Sequence, residues 1–313
     1  MMPQLHSAGA DPDAHSVHKF ALGARAAYLG DHCPGGQPLF GTVMGIEAMA
    51  AAFAKVQPWA GQTRRVAVDI CIDAPLILTA GQAHAEIEVR STRLVVDGAD
   101  AVACVLGSIS ADKVWQQHFS ATFFWESGPV DVPPWAEGNW ARTVQSAAPV
   151  QVSAASIYGL FFHGPAFQVV KSAFLVDSLL CSEYQTALPG LFDCQNLETN
   201  WQPHKQPGCA GPQQLELCLQ TAGLLDVATS ARMMIPHHIE RIDWHLGEKG
   251  PGAGALRAVA RRCLLNVANG FDMVLGHPTG PTWALVKGYV CTPLPFDCDL
   301  AAIERLRQCF HRQ

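Results

Sequence analysis

The chain has 313 residues, 49% of them hydrophobic and 15% charged, with a formal net charge of −6 at pH 7. That length supports a large core, as one long domain or two of about 150 residues. The acidic balance and the lack of a basic run exclude nucleic acid as an expected partner, and no apolar stretch reaches the roughly 18 residues of a membrane span.

The first residues, "MMPQLHSAGADPDAHSVHKF", lack the charged-then-apolar order of a signal peptide, so residues 1–18 read as a flexible lead-in. Next comes a short strand over "FALGARAAYL" (Phe20–Leu29), then a turn-rich "GDHCPGGQPLFG" and a helix over "TVMGIEAMAAAFAKV" (Thr42–Val56). Strands are expected over "RRVAVDICID", "HAEIEVRSTRLVV", "DAVACVLGSIS" and "HFSATFFW", with a turn at Asp97-Gly98. "SGPVDVPPWAEGN" carries the Pro and Gly of a linker, placed at 128–150 between halves at 19–127 and 151–295.

The second half repeats the order. "IYGLFFHGPAFQVVKSAFLV" and "SLLCSEYQTAL" read as strands, and an irregular "NWQPHKQPGCAG" leads to a helix over "PQQLELCLQTAGLLDVATSA", with Pro212 in its first turn. Strands return in "HHIERIDWHL", "ALRAVARRCLLNVA", "GFDMVLG" and "TWALVKGYVCT", and residues 296–313 form a tail or helix. Each half therefore reads as strand, loop, one long apolar helix and several strands. A helix apolar nearly all round predicts a sheet wrapped about it. The eleven cysteines include no CxxC, and most sit among apolar neighbours (Cys71, Cys104, Cys181, Cys218, Cys291). They read as reduced structural filler in a cytoplasmic protein. The histidines, including the His237–His238 pair, form no metal-ligand set, so no metal is expected.

Three segments carry chemistry. "DHCPGGQPLFGTVMGIEAM" (Asp31–Met49) is similar to the HxxxGxxxxP motif of polyketide synthase dehydratase domains, with His32 as the His, Gly36 as the Gly and Gly41 in place of Pro. "HGPAFQ" (His163–Gln168) resembles their YGPxFQ motif, with His163 in the Tyr position. "LELCLQTAGLL" resembles their DxxxQ helix motif, with Glu216 in place of Asp and Gln220 as the Gln. The resemblance that they carry covers the chain from about Phe20 to Cys291.

The resemblance implies an α+β double hotdog: two hotdog folds in one chain, each a long antiparallel sheet round a central helix, with a composite site between them. It implies a 3-hydroxyacyl-[acyl carrier protein] dehydratase that needs no cofactor and whose substrate rides on phosphopantetheine. The expected partners are acyl carrier protein and other synthase domains, with a homodimer as a further option. The "IEAMA" and "FHGPAFQ" variants lean toward iterative polyunsaturated fatty acid or enediyne synthases.

Water loss across C2–C3 needs a base for the C2 proton and an acid for the leaving hydroxyl. A histidine titrates near working pH, and a carboxyl among Leu215, Leu217 and Leu219 is expected to have a raised pKa. His32 and Glu216 are the expected pair. Gln220, one turn on, faces the same way as Glu216. Backbone N–H groups at Gly41 and Thr42 are expected to polarise the thioester carbonyl from a helix N-terminus.

Gly36, His163 and Phe167 are expected to shape or line the substrate site, with Phe167 and Gln168 on a strand covering the tunnel. The duplication also allows a second site, His163 with Glu47, but one competent site is expected. Two rivals stand beside this reading: a double-bond isomerase or cyclase on the same fold, and a non-catalytic acyl-binding double hotdog.

Overall fold

The computed structural model describes residues 15–23, 27–77, 84–110, 112–136, 151–185, 211–246, 256–263, 270–278, 280–294 and 299–311. Their strands are β1 (His15–Gly23), β2 (Arg64–Ile72), β3 (His84–Val96), β4 (Ala99–Ile109), β5 (Trp115–Glu126), β6 (Val152–Ser153), β7 (Val170–Val176), β8 (Leu179–Tyr184), β9 (Met234–His245), β10 (Arg257–Arg262), β11 (Gly270–Gly276) and β12 (Thr282–Pro293). The helices are α1 (Ala27–Gly30), α2 (Thr42–Val56), α3 (Ala154–Tyr158), α4 (Pro212–Ser230) and α5 (Leu300–His311).

The strands join in one antiparallel sheet, in the order β1-β3-β4-β5-β2-β9-β12-β11-β10-β8-β7-β6. The first five positions belong to the N-terminal half and the last seven to the C-terminal half. The halves meet where β2 pairs with β9, from Arg64↔His245 to Cys71↔His238. The N-terminal sheet curls over α2 and the C-terminal sheet over α4, against which α5 packs. This is the double hotdog.

The wrapping follows from sequence. Every residue of α2 from Val43 to Phe53 is buried, and an all-round apolar helix needs a sheet that encloses it. In α4 the buried run extends from Leu215 to Ala222. Charge then fixes the seam. Arg64 on β2 pairs with Asp243 on β9 at 3.1 Å and with Glu126 on β5, and Arg241 on β9 reaches Asp243 at 2.8 Å and Glu126 at 3.2 Å. Four half-buried charges on three strands satisfy one another in this network and hold the register between halves.

Three local expectations change. Residues 15–18 of the lead-in belong to β1, which pairs with β3 from His15↔Thr92 onward. "FALGARAAYL" is no single strand: the pairing ends at Gly23, and Ala27–Gly30 make the single turn α1. "IYGLFFHGPAFQVV" likewise splits into the end of α3, a loop and the start of β7.

The linker's first residues lie on the outer face of the C-terminal sheet, with Val130 and Ala136 packed on Val274 and Leu285. Residues 137–150, most of the expected linker, and residues 1–14 lie outside the described segments.

Candidate active site

His32 stands at the start of a closed loop. Its backbone carbonyl accepts the Leu39 N–H at 2.9 Å, and its ring Nδ1 lies 2.9 Å from the Leu39 carbonyl. Gly35 and Gly36, both at positive φ (62° and 79°), let the chain double back so tightly. Since a carbonyl can only accept, Nδ1 carries the proton and Nε2 keeps its lone pair. The ring is buried beside Phe162 and Phe167, at centroid distances of 5.2 and 4.8 Å.

Burial, and after it the field of His163, push the His32 pKa down to about 4. His32 is therefore neutral and competent as a base throughout the physiological range. The shift also has a consequence for stability. Below about pH 6.5 the unfolded chain takes up a proton at this residue that the folded chain does not, so stability falls with pH until about pH 4. The loss amounts to about 3 kcal/mol. We expect wild type to lose thermal stability across this window more steeply than His32→Phe, as scanning calorimetry at stepped pH will show. Parallel curves would mean that His32 is not the buried neutral group.

The second loop docks on the first. His163 forms an antiparallel bridge with His32. The Gly164 N–H donates to the Asp31 carbonyl at 2.7 Å, and the Ala166 N–H donates to the Asp31 carboxylate at 2.8 Å. The approach is so close that a Cβ on Gly164 would lie 2.3 Å from Asp31 Oδ1 and 2.8 Å from Asp31 Cα. Because the obstacle includes backbone, it cannot swing aside. Gly164→Ala should part the loops, lowering turnover about 100-fold and stability by about 1–3 kcal/mol. Parallel measurement of kcat and Tm checks this, and an Ala variant with wild-type values would show that the clamp is dispensable.

Helix α4 brings the carboxyl. Glu216 and Gln220 are both buried, one turn apart, and Gln220 Nε2 donates to Glu216 Oε1 at 2.8 Å and to the Phe167 carbonyl at 2.8 Å. Gln220 Oε1 accepts from the Tyr158 hydroxyl at 2.9 Å, and that oxygen accepts the Val170 N–H at 2.7 Å. The chain of bonds leaves the Gln220 amide little freedom to flip. His163 Nε2 lies 3.3 Å from Glu216 Oε1.

The carboxyl does not have the raised pKa its leucine neighbours suggest. Burial pushes it up, but contact with His163, the fields of His163 and His32, and the Gln220 bond together hold it below the usual carboxylate range. The leucines fill the core, while the face that carries Glu216 looks onto two histidines.

These groups open on a cavity of about 500 Å³ built from both halves. His32, Thr42, His163, Glu216 and Gln220 line it, and Leu219, Gly223 and Val227 continue it along α4. Its wall is mostly apolar, with a few polar groups converging at one end. At the start of α2, Met44 and Gly45 both donate to the Gly41 carbonyl. Thr42, one residue into the helix, is a position whose N–H has no partner within the helix.

His32, His163, Glu216, Gln220 and Thr42 thus come together. Gly36, Gly41 and Phe167 lie outside the cavity wall. Gly36 shapes the turn, Phe167 is wholly buried under the His32 ring, and Gly41 lies beside both rings, where a Cβ would make ordinary contact with Phe167 at 3.5 Å. The alternative pairing of His163 with Glu47 does not occur. Glu47 points at buried Arg65, 3.5 Å away, whose guanidinium lies 4.5 Å above the Trp244 ring. Both histidine loops converge on Glu216 of α4.

Sequence reading passed over Tyr158 and Asp31. The first gives no motif signal, whereas the second adjoins His32 and could have been weighed as its neighbour. Among the described residues no group of three or more His, Cys, Asp or Glu is arranged to hold a metal ion.

No family model and no curated protein matches the sequence. Solved structures do. The dehydratase domain from the CurF module of curacin polyketide synthase superposes with a TM-score of 0.70 at 15% identity, over 92% of this chain and 96% of that one. The dehydratase domain from the CurK module gives 0.67 at 16%, over 93% and 97%. A trans-AT PKS dehydratase domain from Brevibacillus brevis gives 0.68 at 15%, over 93% and 98%. The CurK domain has also been solved with a histidine changed to phenylalanine and with an aspartate changed to asparagine, each described as an inactive mutant. Across nearly its whole length, this chain has the double-hotdog fold of polyketide synthase dehydratase domains.

Proposed function

We infer that the protein is a dehydratase that removes water from a 3-hydroxyacyl thioester carried on acyl carrier protein, leaving a 2-enoyl thioester, within polyketide or polyunsaturated fatty acid assembly. One observation carries this reading: a neutral buried histidine and a buried carboxyl, supplied by opposite halves, face a single apolar cavity. Nε2 of His32 takes the C2 proton. The hydroxyl on C3 leaves from the Glu216 side of the cavity, with Gln220 fixing the carboxyl. Charge that develops on the thioester oxygen meets the N–H groups and dipole at the start of α2, beside Thr42. These side chains carry the proton transfers themselves, so the reading calls for no cofactor. The CurK variants support it, since loss of one histidine or one carboxyl inactivates that domain.

The partners proposed are acyl carrier protein, which delivers the chain, and neighbouring synthase domains. The test is incubation with synthetic 3-hydroxyacyl-pantetheine thioesters of graded length, read by mass spectrometry. Loss of one water from the acyl chain is expected. Binding without water loss would favour a non-catalytic acyl carrier, and a product with a shifted double bond or a new ring would favour the isomerase or cyclase.

A further inference from the structure

Where the YGPxFQ motif that this segment resembles has tyrosine, this chain has His163, and the reading above gives it no task. Its Nε2 lies 3.3 Å from Glu216 Oε1, and its ring stacks on Phe162 with centroids 4.3 Å apart. It lines the cavity, and its ring centroid is 5.5 Å from that of His32. Its Nδ1 is buried without a hydrogen-bond partner. A tyrosine could donate a hydrogen bond here, whereas an imidazole has two ring nitrogens and can both hold a proton toward the carboxyl and pass it on. Contact with His163 is foremost among the causes that hold Glu216 below the ordinary carboxylate range, so the proton at this carboxyl is governed by the two groups together.

We propose that His163 and Glu216 act as one acid, sharing between Nε2 and Oε1 the proton that departs with the C3 hydroxyl. The proposal rests on the dehydratase reading. In the step, Nε2 of His32 takes the C2 proton, and the electrons of that C–H bond become the C2=C3 π bond. The C3–O bond breaks with its electrons on oxygen, the shared proton joins that oxygen, and water leaves. His32 ends as imidazolium and the pair ends one proton poorer, so charge balances. His32 gives its proton up to solvent, and the pair regains one from solvent.

Few other groups compete for that proton. Asp31 faces the His163 loop, but its carboxylate is engaged by the Ala166 N–H. Tyr158 on α3 and Tyr289 on β12 face Glu216, and burial raises the pKa of both phenols. His32 titrates near pH 4, far from the working range.

Two measurements on the intact chain test the pair. In protein labelled at histidine ring nitrogens and glutamate carboxyl carbons, NMR should show His163 and Glu216 following one common titration, as coupled sites must. In Glu216→Gln the His163 midpoint should move by at least about one pH unit. Separate midpoints, or a His163 titration indifferent to Glu216→Gln, would overturn the proposal without any assay of turnover. The second measurement is the pH–rate profile of His163→Gln, which keeps a donor to the carboxyl but holds no mobile proton. Its basic limb should move to lower pH by about one unit, with kcat above pH 7 down about tenfold or more and KM little changed. A loss uniform across pH, or a wild-type limb, would reduce His163 to a positioning residue and overturn the shared acid. A common titration in a wild type that removes no water would keep the proton-sharing pair and overturn the dehydratase reading instead.

Discussion

Replacing His32 with phenylalanine is expected to abolish water loss from a 3-hydroxyacyl thioester while leaving the chain folded. The ring sits among Phe162 and Phe167, so a phenyl group meets similar surroundings. The folding cost is the lost Nδ1 contact with the Leu39 carbonyl, about 1 kcal/mol. The catalytic cost is far larger. Losing a positioned base slows proton transfer by about 100- to 10,000-fold, and no second base with the same placement remains. His163 is committed to Glu216 at 3.3 Å. Turnover by mass spectrometry beside Tm by calorimetry separates the two effects. Near-normal turnover in His32→Phe would remove His32 as the base and the dehydratase reading with it.

The architecture was legible because it is driven by composition over long windows. "TVMGIEAMAAAFAKV" has too few polar residues to present a solvent face, and the structure buries it from Val43 to Phe53. The long strands that follow each helix appear in the expected order. What was not legible depends on pairing between distant residues. Nothing in "RRVAVDICID" says that Arg64 meets Asp243 or that Arg65 covers Glu47, since those contacts follow from β2 lying beside β9. The ends of strands were misjudged for a similar reason. A strand edge is set by its partner, and β3 extends far enough to recruit His15–His18.

The site shows the same division. Local motifs marked His32, Glu216 and Gln220, because each carries its own setting: a Gly-rich turn for the first, a helix face for the others. The motif around His163 was equally visible, but its part was not. Sequence symmetry offered Glu47 as its acid, and the choice is made by Asp31, which pins Gly164 and Ala166 so that the second loop bends toward α4. The electrostatics could not be read from neighbours in sequence either. Three leucines flank Glu216, but the groups that set its charge are 53 and 184 positions away, His163 and His32.

Glu216→Gln should be nearly inactive, with a loss comparable to that in His32→Phe. The amide matches the carboxyl in size and keeps an oxygen to accept from Gln220 Nε2, so packing on α4 and Tm should change little. It cannot hold or pass a proton, alone or with His163, so the leaving hydroxyl departs unassisted. Glu216→Asp sharpens the argument. It keeps a carboxyl but draws it back by one methylene, stretching the contacts to His163 Nε2 and Gln220 Nε2, and partial activity is expected. Gln220→Ala tests the support in place of the acid. It takes the Gln220 donor from the Phe167 carbonyl, which keeps the Val169 N–H at 2.9 Å, and the Gln220 acceptor from the Tyr158 hydroxyl, which still accepts the Val170 N–H, so the cost in stability is about 1 kcal/mol. The carboxyl remains, so the loss of rate should be milder than in Glu216→Gln. The expected order of kcat is wild type, then Gln220→Ala and Glu216→Asp, then Glu216→Gln far below. If Glu216→Gln turned over as fast as wild type, the proton would have to come from somewhere other than α4.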